Sequence, residues 1–132
     1  LKTDLLTFMQ TEITINYPRI IARATRFIEE NYAQEDISLG VVADLVGLTP
    51  SYFSSLFKEH VGVSYSDYLT ALRIKKAKEL LRTTSYRVYE ISHIIGYANH
   101  YYFNRIFKKT TGITPLEFRK SKKSASKQKK VQ

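Results

Sequence analysis

The 132-residue chain is 43% hydrophobic and 13% aromatic, enough apolar surface for one domain or for two small ones sharing a core. It has no Cys, which excludes a disulfide frame, a thiolate zinc site and a cysteine nucleophile, and no apolar run nears the roughly 18 residues of a membrane span. The net charge of +9 and pI of about 9.7 suit an electrostatic nucleic-acid footprint, and equally a solubilising charge.

Residues 1–17, LKTDLLTFMQTEITINY, have mixed periodicity and read as a connector. The chain starts at Leu1 and its only Met is Met9, so a piece of a longer protein is expected, with its N-terminal domain missing. From Pro18 the pattern turns helical, with Ile21, Ala22, Ala24, Thr25 and Ile28 leading to a stop at NYAQED; proline suits a first helical turn. ISLGVVADLVG follows, with Ser38 as N-cap, Leu39, Val42, Ala43 and Val46 on one stripe, and Gly47 as its end. Thr49-Pro50 opens the next helix, which carries YFSSLFKEHVG and ends at Gly62. Ser64-x-x-Asp67 resembles a capping box and starts a long helical segment over 64–83.

The chain then repeats itself. YRVYEISHIIG matches 38–47, with Val88 for Leu39, Ile91 for Val42, Ile95 for Val46 and Gly96 for Gly47. Asn99 caps a helix carrying YFNRIFKKTTG, which shares five of eleven positions with YFSSLFKEHVG and ends at Gly112. Thr114-Pro115-x-Glu117 is a capping box for a last helix reaching about residue 121. Beyond it, residues 122–132 have no apolar stripe and read as a disordered basic tail; residues 119–132 hold seven Lys/Arg and no acid. The expectation is an all-α chain of seven helices. It contains two helix-turn-helix subdomains, at about 38–61 and 87–111, joined by a long linker helix over 64–83. Helical solenoids also repeat such hairpins, but need about three or more copies, and here there are two.

At 100° per residue, Phe53, Leu56, Phe57 and His60 fall within an arc of about 100° as a buried stripe. Ser51, Ser55 and Lys58 lie opposite, with Ser54 on the flank. In the second copy Phe103, Ile106 and Phe107 turn inward, while Tyr101, Arg105 and Lys108 turn outward beside Asn104. The apolar pattern is kept and the outer face changes, as two copies of one fold with separately tuned contact surfaces would require. Arg can bond guanine O6/N7 and Asn adenine N6/N7 in a major groove. His100 and Tyr101 stand in the first turn, where recognition helices meet base edges or phosphates. Lys58, Lys108 and Lys109 can reach phosphates. Taken singly, any of these residues fits a solvated helix face; taken with the repeat, the basic balance and the turn glycines, DNA fits better. Arg73, Lys75, Lys76 and Lys78 on the long helix fit phosphate contact and solvation equally. That helix would span about 30 Å, against the roughly 34 Å that one duplex turn advances. Two recognition helices could therefore sit in successive major grooves.

At these residues the chain resembles the DNA-binding domain of the AraC/XylS transcription regulators. EISHIIGYANHYYFNRIFKKTTGITPLEFRK, residues 90–120, is the most specific part, and the likeness covers about residues 20–121. Its wording is most similar to response-regulator members, in which a receiver domain precedes the DNA-binding part. The resemblance implies recognition helices at 50–61 and 99–111. It also implies base reading by Ser51, Ser54, Ser55, His100, Tyr101, Asn104 and Arg105. Phosphate contacts are expected at Thr49, Lys58, Asn99, Lys108 and Lys109. It implies a cytoplasmic transcription activator of bacterial promoters without a cofactor, partnered by double-stranded DNA, RNA polymerase and a missing N-terminal sensory or receiver domain. Serine discriminates bases weakly, so the first half is expected mainly to anchor on phosphates.

Two other classes compete. His60, His93 and His100 could serve a metal or general base, but no HExxH, GxSxG, Walker or GxGxxG pattern supports an enzyme. A nonspecific, charge-driven nucleic-acid binder would place Lys and Arg on the groove-facing positions, where this chain has uncharged polar residues.

Overall fold

A computed structural model describes residues 2–121, with side chains from Asn16 onward. Among the described residues there are seven helices and no strand: α1 (Lys2–Asn31), α2 (Leu39–Leu45), α3 (Pro50–Val61), α4 (Tyr65–Thr83), α5 (Val88–Ile94), α6 (His100–Thr111) and α7 over 115–121. They form two compact units. Among the described residues the first comprises 2–30 and Ile37–Ser66, the second Asn31–Asp36 and 67–121. The expected tail at 122–132 lies outside the described residues.

The expected helix start at Pro18 is corrected: α1 runs through Pro18, which sits inside it. An interior proline removes one hydrogen bond and crowds the carbonyl four residues back, at a cost of about 3 kcal/mol. Packing lies on either side of Pro18. Tyr17 lays its ring edge-on to His60 at 5.2 Å and hydrogen-bonds its hydroxyl to that of Tyr52, while Ala24 and Ile28 are fully buried further along.

In the first unit, Ala24, Ile28, Ile37, Val42, Ala43, Phe53, Leu56, Phe57 and Tyr65 form the core. Ser38 caps α2 by accepting from the Val41 N–H at 3.2 Å, and Thr49 caps α3 by accepting from Tyr52 at 3.3 Å. His60, placed by its spacing on the buried stripe, is exposed. It lies at the last turn of α3, where the core ends, and its ring meets only the edge of Tyr17 among the described aromatic contacts.

The second unit repeats this plan. Ile91, Ile95, Phe103 and Phe107 stand where Val42, Val46, Phe53 and Phe57 stand in the first, and Ile74, Ala77, Leu81, Tyr97 and Phe118 complete the core. Even the turns match bond for bond. Gly47 N–H donates to Asp44 and Leu48 N–H to Ala43, as Gly96 does to His93 and Tyr97 to Ser92, at 2.9–3.1 Å. Both glycines hold positive φ, +75° and +105°, a region that L side chains enter only with strain. The copies differ by one residue: the turn is 46–49 in the first and 95–99 in the second. Asn99 caps α6 by accepting from Tyr101 and Tyr102 at 2.9 and 3.2 Å.

Two arginines tie the second unit together. Arg73, only 6% exposed, donates from Nε to the Tyr32 carbonyl at 2.8 Å and from Nη2 to the Gln34 carbonyl at 2.9 Å, with its guanidinium 4.8 Å from the Tyr97 ring centre. Arg119 of α7 donates to the Leu81 and Thr84 carbonyls at 3.1 and 3.3 Å, satisfying acceptors that the end of α4 leaves unpaired. Thr114 accepts from the Glu117 N–H at 3.1 Å, as a capping box requires, although the Glu117 carboxylate returns to the Thr114 hydroxyl rather than to its backbone.

Candidate nucleic-acid interface

The core sides of α3 and α6 determine which residues remain outward. With Phe53, Leu56 and Phe57 buried, Ser51, Ser55 and Lys58 are exposed on α3 and Ser54 is half-buried. Thr49, at the same helix start, is exposed. The first unit thus gathers Thr49, Ser51, Ser54, Ser55 and Lys58 along one helix. Its cation is followed directly by the exposed Glu59. In the second unit Phe103 and Phe107 are buried, which leaves Tyr101, Arg105, Lys108 and Lys109 exposed and His100 and Asn104 half-buried. Tyr101 is 70% exposed, an unusual position for so large a ring. Its nearest aromatic companion is His100, the ring centres 4.2 Å apart.

The chemistry of the two faces differs. The α3 face offers three hydroxyls, each both donor and acceptor, and so carries little discrimination between bases. The α6 face offers a guanidinium, a carboxamide, an imidazole and a phenol, and α6 contains no acidic residue. Thr49 and Asn99 each spend an oxygen on capping their helix, which leaves a hydroxyl proton and an amide NH₂ as donors beside the helix start. Such donors suit a phosphate.

Of the basic run on α4, Arg73 is corrected from candidate phosphate contact to buried clamp, since it is 6% exposed with its Nε and Nη2 donating to the Tyr32 and Gln34 carbonyls. Lys76 pairs with Glu79 at 3.8 Å and stands 6.0 Å over the Tyr32 ring. Lys75 is exposed and Lys78 half-buried. Reasoning from the sequence missed Tyr97 and Tyr102. Tyr97 stacks on Phe103 at 6.0 Å and meets Tyr102 edge-on at 5.6 Å, and Tyr102 lies 6.0 Å beneath the Arg105 guanidinium. The signal available was the Tyr-Phe pair repeated at 52–53 and 102–103. Burial raises the Tyr97 phenol above its ordinary pKa, with the Thr70 hydrogen bond and the Arg73 charge opposing it. The hydrogen bond to Tyr17 raises that of Tyr52. Among the described residues no group of three His, Asp or Glu side chains could hold a metal, and no single helix is long and apolar enough to cross a membrane.

Two helix-turn-helix units with outward, unequal second helices define a paired helix-turn-helix domain. Residues 42–121 match the helix-turn-helix domain family, and the chain belongs to it, in the AraC/XylS branch that residues 90–120 resemble. It is 35% identical over 99 residues to the arabinose operon regulatory protein of Escherichia coli, covering 75% of this chain and 34% of that protein. It is also similar to the solved C-terminal domain of AraT, a response regulator from Geobacillus stearothermophilus, with 35% identity and a TM-score of 0.76, covering 77% of this chain and 84% of that one. The DNA-binding domain of AdpA, solved with a target DNA, shares the fold at 19% identity and a TM-score of 0.76, covering 80% of this chain and 94% of that one. The chain spans about a third or less of the length of the curated relatives it matches.

Proposed function

We propose that this chain binds double-stranded DNA sequence-specifically, with α3 and α6 as recognition helices in successive major grooves, and serves a transcription regulator. The observation that carries the reading is the kept core and the changed outer face. Phe53 and Phe57 recur as Phe103 and Phe107, whereas Ser51, Ser54 and Ser55 give way to Tyr101, Asn104 and Arg105. The 19 residues of α4 amount to about 28 Å of helix, close to the advance of one duplex turn. His100, Tyr101, Asn104 and Arg105 read bases in this proposal, with weaker readout by Ser51, Ser54 and Ser55, and Thr49, Lys58, Asn99, Lys108 and Lys109 hold phosphates. The whole protein acts in the cytoplasm as an activator that meets RNA polymerase, under control of an N-terminal sensory or receiver domain; the AraT likeness favours a receiver.

The test is to select duplexes from random DNA with this 132-residue chain and compare the winner with unselected DNA at fixed salt. A preference of about a thousandfold or more is expected. A ratio near one would support the charge-driven binder instead.

A further inference from the structure

An exposed arginine has many rotamers to lose when it docks on a base, so a base-reading arginine gains from being held beforehand. Arg105 has such a hold. The Tyr102 ring, one turn back on α6, lies 6.0 Å from its guanidinium carbon, at the outer limit of a cation–π contact. That ring, itself 44% exposed, is backed in turn. Tyr97 meets it edge-on at 5.6 Å, and Tyr97 is 9% exposed, stacked on Phe103 and covered by the Arg73 guanidinium at 4.8 Å. A chain of ring contacts therefore runs from the core of the second unit to the one guanidinium on the outer face of α6. In the first unit the same ring is present as Tyr52, but its hydroxyl is bonded to Tyr17, and the residue three positions on is Ser55, which has no guanidinium to hold.

We propose that Tyr102 is a positioning residue that sets the base preference of Arg105 by holding its guanidinium on the Tyr97-backed ring. The proposal rests on the reading of Arg105 as a base contact. It predicts that the ring, and not the hydroxyl, carries the effect.

The experiment uses the 132-residue chain and a duplex selected from random DNA. A second duplex is altered at the base pair whose preference Arg105→Ala relaxes. Tyr102→Leu, which removes the ring, should lower the ratio of affinities for the two duplexes roughly two- to fivefold. Tyr102→Phe, which keeps it, should leave the ratio unchanged. In an Arg105→Ala background Tyr102→Leu should add nothing. An unchanged ratio in Tyr102→Leu overturns the proposal. So does an equal loss in Tyr102→Phe, which would mark the hydroxyl as a direct DNA contact, and so does a loss that persists without Arg105. If Arg105→Ala alone relaxes no base pair, the base-reading assignment fails first, and this inference with it; an intact Arg105 effect beside a silent Tyr102→Leu overturns only the inference.

Discussion

The guanidinium of Arg73 occupies the space that a side chain on Gly96 would need. A Cβ built on Gly96 would stand 2.8 Å from Arg73 Nη2 and 3.0 Å from the Tyr32 carbonyl oxygen, whereas one on Gly47, at the matching place in the first unit, would meet nothing within 4 Å. The two turns share their hydrogen bonds but not their surroundings.

Gly47→Ala should therefore cost only the strain of its positive φ, about 1–2 kcal/mol. Gly96→Ala carries that strain and must also displace a guanidinium anchored on two carbonyls, so its loss should be larger by about 1–3 kcal/mol. Urea melts of the two variants side by side check this. Equal losses would show that Arg73 moves aside freely.

Arg73 is the second target. Arg73→Met leaves the Tyr32 and Gln34 carbonyls without their donors, and a loss of about 2–4 kcal/mol is expected. Arg73→Lys should recover little, because one ammonium lacks the planar fork that reaches two carbonyls while covering the Tyr97 ring. A lysine variant as stable as the parent would mean that charge alone suffices there.

For recognition, Arg105→Ala should weaken binding to the preferred duplex by about 1–3 kcal/mol and relax preference at one base pair, expected to be a G·C pair. Titrating preferred and random duplexes under one salt condition separates the two possible roles. A loss of the same size on both would assign Arg105 to phosphate.

Single alanine replacements at Ser51, Ser54 and Ser55 should each cost less than Arg105→Ala, since a serine hydroxyl makes at most a weak or water-bridged contact. The same duplex titrations rank them. A serine whose loss abolishes sequence preference would reverse the order of the two halves.

The tail is the last target. Lys122, Lys123, Lys127, Lys129 and Lys130 are expected to neutralise phosphates without reading sequence. Deleting residues 122–132 should leave the melting temperature and preferred sequence unchanged. It should lower affinity for all DNA alike and flatten the log–log salt slope by about 0.9 for each phosphate no longer neutralised. An unchanged slope would show that the tail does not touch DNA, and a lower melting temperature that it belongs to the fold.

Most of the fold was legible because its signals are local. Ser38, Thr49 and Asn99 announce helix starts by capping chemistry that reaches only two or three residues, and the stripes of Phe53, Leu56 and Phe57 and of Phe103 and Phe107 follow from helical period alone. The outward residues of α3 and α6 follow by subtraction. The sequence by itself thus determined the number of helices, the repeat and the composition of each outer face. Only the tertiary structure decided what depends on contacts between residues far apart in the chain. Pro18 does not start α1, because Tyr17 reaches Tyr52 and His60, respectively 35 and 43 positions away. Arg73 is a clamp rather than a solvated cation, because the chain returns Tyr32, Gln34 and Tyr97 around it. A buried guanidinium and an exposed one look the same in a sequence. They differ by which carbonyls and rings the fold brings to them, and that distinction exists only once the chain has closed on itself.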